Sequence, residues 1–276
     1  MRIAVAGGTG LVGRLVVEEL ATAGQEPVVL ARSRGVDLVS GAGLDAAMAG
    51  VDAVVDVSNV TTTSSKKAIS FFGSVSRNLL DAGARAGVRH HIALSIVGID
   101  RVGLGYYQGK LRQEEVVTGG PTPWTVLRAT QFHEFAERIL DRVPIPLAMV
   151  PRMRTQPVAA REAAQHLVHL AAAPAQGMAP ELAGPQVEQL VDMVRRLLRA
   201  RNQHRLLLPV KLPGATGAAM TGDGQLPTGQ GPRGEQTFDT WLAHNSSRTT
   251  STAPPAWMSA SRAAPSPSSP WMSGAV

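Results

Sequence analysis

The chain has 276 residues, 44% hydrophobic and 17% charged, enough for one large domain or a domain with a small lobe, and too apolar to be disordered throughout. It has no cysteine, which excludes a disulfide framework, a thiolate metal site and a cysteine nucleophile, so any redox work needs a bound cofactor. A formal net charge of +6 and a pI near 10.4 raise the question of nucleic acid. Aromatic residues are only 4%, too few for a base-stacking surface, and the basic residues are mostly scattered singly.

In chain order, apolar β-branched runs predict strands at Arg2 to Ala6, Pro27 to Ala31, Ala53 to Val57, His91 to Ile96 and Trp124 to Leu127. Helical patterns lie between them at Leu11 to Ala23, Lys66 to Ala86 and Tyr106 to Val117. This alternation predicts an α/β fold, a doubly wound, mostly parallel Rossmann-type sheet over about residues 1–130. Prolines 144, 146, 151 and 157 interrupt the next stretch, before helices near Ala160 to Ala172 and Gln186 to Ala200. Residues 131–244 are expected to form a smaller substrate lobe over the carboxyl edge of the sheet. The basic stretch Arg195, Arg196, Arg199, Arg201, His204 and Arg205 closes an amphipathic helix, where cations suit the helix dipole; the alternative is a phosphate-binding patch. From 245 to 276 Ser, Thr and Pro make up about half the residues, which predicts a disordered tail; its repeated Trp-Met-Ser, at Trp257 and Trp271, is either accidental or a short docking repeat.

The strongest local motif is Gly7-Gly8-Thr9-Gly10-Leu11-Val12-Gly13, directly after the first strand and directly before a helix. One glycine permits the tight turn, one lets backbone amides approach a pyrophosphate, and one lets the helix pack closely on the strand. The helix amino terminus adds partial positive charge, so this is read as a dinucleotide site. An NAD site usually places a carboxylate at the end of the second strand, whereas here stand Arg32, Ser33 and Arg34. Two guanidiniums and a hydroxyl suit a 2′-phosphate, so NADP is expected, with NAD possible; the alternative makes Arg32 and Arg34 ordinary loop residues.

Both tyrosines fall in Tyr106-Tyr107-Gln108-Gly109-Lys110. Tyr106 and Lys110 are four apart on a predicted helix and share a face, so the lysine can favour the phenolate. Ser95, at the carboxyl end of a strand, can polarise a substrate carbonyl beside the phenol. Gln131, Phe132 and His133 follow the fifth strand and are expected to face the cleft as substrate contacts; His133 is either a hydrogen-bonding group or a packed pocket wall.

The glycine turn GGTGLVG, the strand end VVDVSN with Ser58 and Asn59, HHIALSIVG, YYQGK, PWTVLRATQFHEF and ELAGP together resemble the short-chain dehydrogenase/reductase superfamily. Within it the chain is most similar to the atypical, NmrA-like branch, over Met1 to about Leu242. The resemblance implies that Ser58 and Asn59 join the cofactor site, that Tyr106 exchanges the proton and that Lys110 also holds the nicotinamide ribose. It further implies that Ser95 steadies the carbonyl, and that hydride passes between the nicotinamide and a small carbonyl or quinone. That branch also contains members that bind cofactor without turnover, so an NADP-sensing regulator is the alternative. A sugar-nucleotide epimerase or dehydratase is a third reading, for which the second lobe is small.

No G-x-S-x-G elbow or Walker loop is present, and neither His133-Glu134 nor His166 and His169 have zinc-site spacing, so no metal is expected. Nor is a membrane helix expected, since no run approaches about 18 apolar residues, and the start lacks the apolar core of a signal peptide. The expectation is a soluble, cytoplasmic protein with a small-molecule substrate and no nucleic-acid partner. Its oligomeric state is not readable.

Overall fold

The computed structural model describes residues 1–141 and 147–249. Pro144 and Pro146, and the expected tail from residue 250 with its Trp257 and Trp271 repeat, lie outside the described residues.

The amino-terminal part runs β1 (Arg2–Ala6), α1 (Leu11–Thr22), β2 (Glu26–Leu30), a 3₁₀ turn (Arg32–Arg34), α2 (Leu44–Met48), β3 (Ala53–Asp56), α3 (Ser65–Ala86), β4 (His90–Ile96), α4 (Gly105–Thr118) and β5 (Trp124–Ala129). The rest runs α5 (Phe135–Asp141), β6 (Leu147–Pro151), β7 (Arg154–Thr155), α6 (Ala160–Ala172), β8 (Gly177–Met178), β9 (Glu188–Gln189), α7 (Leu190–Ala200), β10 (Leu206–Val210), α8 (Gly214–Thr221) and α9 (Phe238–Thr249). The main sheet has six strands in the order β2-β1-β3-β4-β5-β8, and every pairing in it is parallel. The expected doubly wound α/β fold is therefore present.

Side chains alternate across this sheet with the two-residue period of a strand. Ile3, Val5, Val55, Ile92 and Leu127 pack with Val16 and Leu20 of α1 and with Ala163 and Leu167 of α6. Ala4, Ala6 and Val54 pack instead with Leu44 of α2 and with Val75 and Leu79 of α3. Ala93 and Val126 meet Val117 of α4. With both faces covered, these strands are mostly apolar, and burying each Leu or Ile contributes roughly 1.5–3 kcal/mol.

β1 lies between β2 and β3, so the strand order reverses beside it. In open α/β sheets such a reversal opens a crevice at the carboxyl ends of the strands, where ligands bind. The glycine turn after β1 and the Ser58-Asn59 segment after β3 border this position.

The second part is interleaved with the first rather than set apart. α6 covers the sheet, and β8 extends it through Thr125↔Gly177 and Val126↔Met178. The remainder builds its own core from Ala136, Leu140, Val150, Leu190, Val194 and Trp241, and Tyr106 and Tyr107 pack against or within it. Four basic residues of α7 and its carboxyl end, Arg195, Arg196, Arg201 and Arg205, find partners inside the protein. Arg195 pairs with Asp192 at 2.6 Å, Arg196 with Asp239 at 2.7 Å and with Glu188, and Arg201 with Glu137. Arg205 donates to the Leu140 carbonyl. These pairs account for much of the basic cluster without a phosphate ligand. The described helices include none long and apolar enough to cross a membrane.

Candidate active site

The cradle is built from backbone. Gly7 has φ +79°, a left-handed conformation that side chains rarely adopt, and a Cβ there would stand 2.9 Å from Ser58 Cα. A Cβ on Gly13 would stand 2.1 Å from the Gly7 carbonyl oxygen, so only glycine lets α1 start this close to the turn. The turn is closed by the Gly10 amide donating to the Gly7 carbonyl at 2.9 Å. Gly10 caps α1 with no side-chain hydrogen bond, and the first turn of the helix has no acidic residue. Thr9 and Gly10 are exposed, Leu11 is half-buried, and Val12 is buried on the sheet side. The amide groups at this helix terminus therefore lack a side-chain cap and carry the positive end of the dipole. Gly8 donates its amide to the Val5 carbonyl at 3.3 Å. Across the crevice the buried Ser58 hydroxyl has no hydrogen-bond partner. An open amide cradle, a missing Cβ and an orphaned hydroxyl together fit a pyrophosphate-bearing dinucleotide.

Arg32, Ser33 and Arg34 occupy the 3₁₀ turn after β2, all exposed. The nearest carboxylate, Asp37, is turned into its own loop, accepting the amides of Val39 at 2.8 Å and Ser40 at 3.1 Å. Those amides and the Arg32 charge hold its carboxyl below the usual range.

The opposite wall is built from side chains. The Tyr106 hydroxyl donates to Asn59 Oδ1 at 2.7 Å, so the expected proton donor touches the segment that also borders Gly7. Burial, with the neighbouring Tyr107, pushes the Tyr106 phenol well above its ordinary pKa, while Arg138 works weakly against it. The phenol is thus held protonated at neutral pH. Lys110 is 4% exposed, and its Nζ donates to the Leu94 carbonyl at 2.5 Å and to Gln113 Oε1. Burial brings its pKa down to about 8, and the charges of Asp56 and Glu114 oppose that fall. The Phe72 ring lies between the two residues, 4.8 Å from Lys110 Nζ and edge-to-face with Tyr106 at 5.6 Å between centroids. The Lys110 ammonium is turned to the Leu94 carbonyl and Gln113, and the Tyr106 pKa is raised, not lowered as their spacing suggested.

Ser95 is 2% exposed, and its hydroxyl donates to Glu114 Oε1 at 2.5 Å. Glu114 also accepts both Nε and Nη2 of Arg128, at 2.9 and 2.7 Å, and Arg128 reaches Asp100 at 2.9 Å. Ser95 therefore lies inside a buried ionic layer under α4. Gln131 donates to the Tyr107 hydroxyl at 3.0 Å and accepts from Thr155 at 2.8 Å. Phe132 is half-buried against the core beneath α6. His133 is fully buried, bonded to the Gln236 carbonyl at 2.9 Å and packed beside Phe238 and Trp241; burial lowers its pKa. These three form structural contacts of the lobe here.

Sequence reasoning passed over Asp56, Gln113, Glu114 and Arg128. The signals were present: Asp56 is a lone carboxylate in an apolar strand, and Gln113 and Glu114 stand three and four residues after Lys110, on its helix face.

Residues 7–143 match the NAD(P)H-binding family. A reductase of Streptomyces griseus, (4-alkanoyl-5-oxo-2,5-dihydrofuran-3-yl)methyl phosphate reductase, is 32% identical over 144 residues. That alignment covers 47% of this chain and 48% of the reductase, so the chain matches about half the length of this relative. Among solved structures, a short-chain dehydrogenase/reductase superfamily protein from Agrobacterium tumefaciens with bound NAD is 18% identical with a TM-score of 0.66, covering 91% of this chain and 97% of that one. The NADPH-dependent quinone oxidoreductase QOR2 of Escherichia coli, complexed with NADPH, is also 18% identical, with a TM-score of 0.65 and coverage of 88% and 99%. Residues 7–143 are thus similar to an NAD(P)H-binding domain, and the chain shares the fold of these two solved structures.

Proposed function

We propose that the protein is an NADP-dependent reductase of the NmrA-like branch that transfers hydride to a small conjugated carbonyl or quinone. The observation that carries this reading is the Tyr106–Asn59 hydrogen bond, which ties a protonated phenol to the segment bordering the glycine cradle. Reduced nicotinamide, when bound, supplies the hydride to the carbonyl carbon. Tyr106 exchanges its bond to Asn59 for one to the substrate oxygen and gives it the proton. Lys110, one helical turn along α4, holds the nicotinamide ribose through its charged ammonium. Gly7, Gly8, Thr9, Gly10, Leu11, Val12 and Gly13 hold the pyrophosphate, Ser58 and Asn59 the nicotinamide half, and Arg32, Ser33 and Arg34 the 2′-phosphate. Ser95 supports the wall through Glu114 rather than meeting substrate. The reductase relative's alkanoyl-furanone and the structural neighbour's quinone suggest the substrate class.

The test is NADPH oxidation against quinones, aldehydes and ketones. Tyr106→Phe is expected to lower kcat roughly 10²–10⁴-fold while leaving the NADPH Kd within about twofold. Rates are expected to fall as pH rises through about 8, where Lys110 loses its charge. The saturated partners of Lys110 and Ser95 favour a second reading, a cofactor-binding sensor. That reading requires NADPH binding without turnover across the panel and indifference to Tyr106→Phe.

A further inference from the structure

The proposed reaction leaves one buried charge without a task. Asp56, the last residue of β3, has 0% exposure. One carboxylate oxygen accepts the Ser58 amide at 2.9 Å, and the other accepts Gln113 Nε2 at 2.7 Å. Gln113, also at 0%, accepts from the Lys110 ammonium through its other end. An ammonium only donates and a carboxylate only accepts, so the two partners fix which way the amide points. The chain Asp56–Gln113–Lys110 thus joins a buried anion to a buried cation through one neutral adaptor.

Other groups near Lys110 are committed elsewhere or are neutral. Glu114, on the same helix, is bound by Ser95 and twice by Arg128 of β5. From β4 comes the Leu94 carbonyl and from α3 the Phe72 ring; His91 of β4 interacts with the Asp56 charge, and burial lowers its pKa. Asp56 forms no ion pair among the described residues, since both its hydrogen-bond donors are neutral.

We propose that Asp56 and Gln113 are positioning residues for Lys110: the carboxylate is the counter-charge that keeps the buried lysine ionised, and the amide fixes where its ammonium sits. The catalytic consequence rests on the reading of Lys110 given above, but the electrostatic assignment stands apart from it.

The chain's four lysines allow a direct test on the full-length protein. Lys66, Lys67 and Lys211 are exposed and Lys110 is buried, and in protein carrying ¹³Cε-lysine the Lys110 resonance is assigned by its loss in Lys110→Arg. Asp56→Asn is expected to lower the Lys110 midpoint by about one pH unit, a roughly tenfold weaker hold on the proton, with NADPH oxidation declining at correspondingly lower pH. Gln113→Glu brings a carboxylate directly to the ammonium and is expected to raise the midpoint. An unmoved midpoint in folded Asp56→Asn overturns the proposal, and so does a shift seen only in Glu114→Gln. Should Asp56→Asn fail to fold, Gln113→Glu decides, and a midpoint that stays or falls overturns it. If Tyr106→Phe retains full turnover while the Lys110 midpoints move as expected, the reductase reading fails and this assignment survives.

Discussion

The two walls of the crevice are made in opposite ways. The cradle at the end of β1 consists of backbone, with glycines at the turn and an uncapped helix terminus, and faces the unpartnered Ser58 hydroxyl. The wall under α4 consists of side chains in two separate hydrogen-bonded chains, Asp56–Gln113–Lys110 and Ser95–Glu114–Arg128, and all but Arg128 are buried. The first wall leaves backbone groups without protein partners. The second gains its geometry from groups that satisfy one another. A buried half-satisfied network is costly, whereas a solvent-facing helix terminus tolerates being open.

That contrast predicts where substitutions act on stability and where they act on binding. The largest stability effect belongs to the side-chain wall. Glu114→Gln leaves a largely buried guanidinium with only the half-exposed Asp100, at an expected cost of about 3–5 kcal/mol in denaturant unfolding. A loss no larger than that of a surface pair would show that the layer is not a network. Next comes the backbone wall, where Gly13→Ala drives a Cβ into the Gly7 carbonyl. Overpacking of this kind costs roughly 1–3 kcal/mol, and NADPH affinity is expected to fall at least tenfold by fluorescence titration. Arg32→Glu is expected to leave the melting temperature within a degree or two, yet weaken NADPH by about tenfold or more while sparing NADH. Equal losses for both would remove the 2′-phosphate assignment. The smallest effect is expected at His133→Leu, which removes one buried hydrogen bond worth about 1 kcal/mol and leaves turnover within twofold. A large loss of kcat there would return His133 to the substrate site.

The glycine turn could be read in the sequence because its chemistry is local: spacing, a preceding strand and a following helix specify it. Ser95 illustrates the opposite case. Its place at a strand end suggested a cleft-facing hydroxyl, but β4 turns it toward α4, where Glu114 arrives from nineteen residues away. His133 and Gln131 behave likewise, since their partners Gln236, Tyr107 and Thr155 come from separate segments that meet only in the folded lobe. The division near residue 130 follows the change in pattern along the chain. It does not follow space, because a two-residue strand such as β8 carries too little periodicity to announce that the chain returns to the sheet.

By itself, the sequence determined the alternation of strands and helices, the glycine turn after the first strand, and the presence of Tyr106 and Lys110 on one helix, all set by interactions within a few residues. Only the tertiary structure decided that Tyr106 meets Asn59, that Ser95 answers to Glu114, and that Gln113 links Lys110 to Asp56. Those pairings depend on which side chains three neighbouring parallel strands turn toward one helix, and on the low dielectric of a buried interior, which makes each of them find a partner.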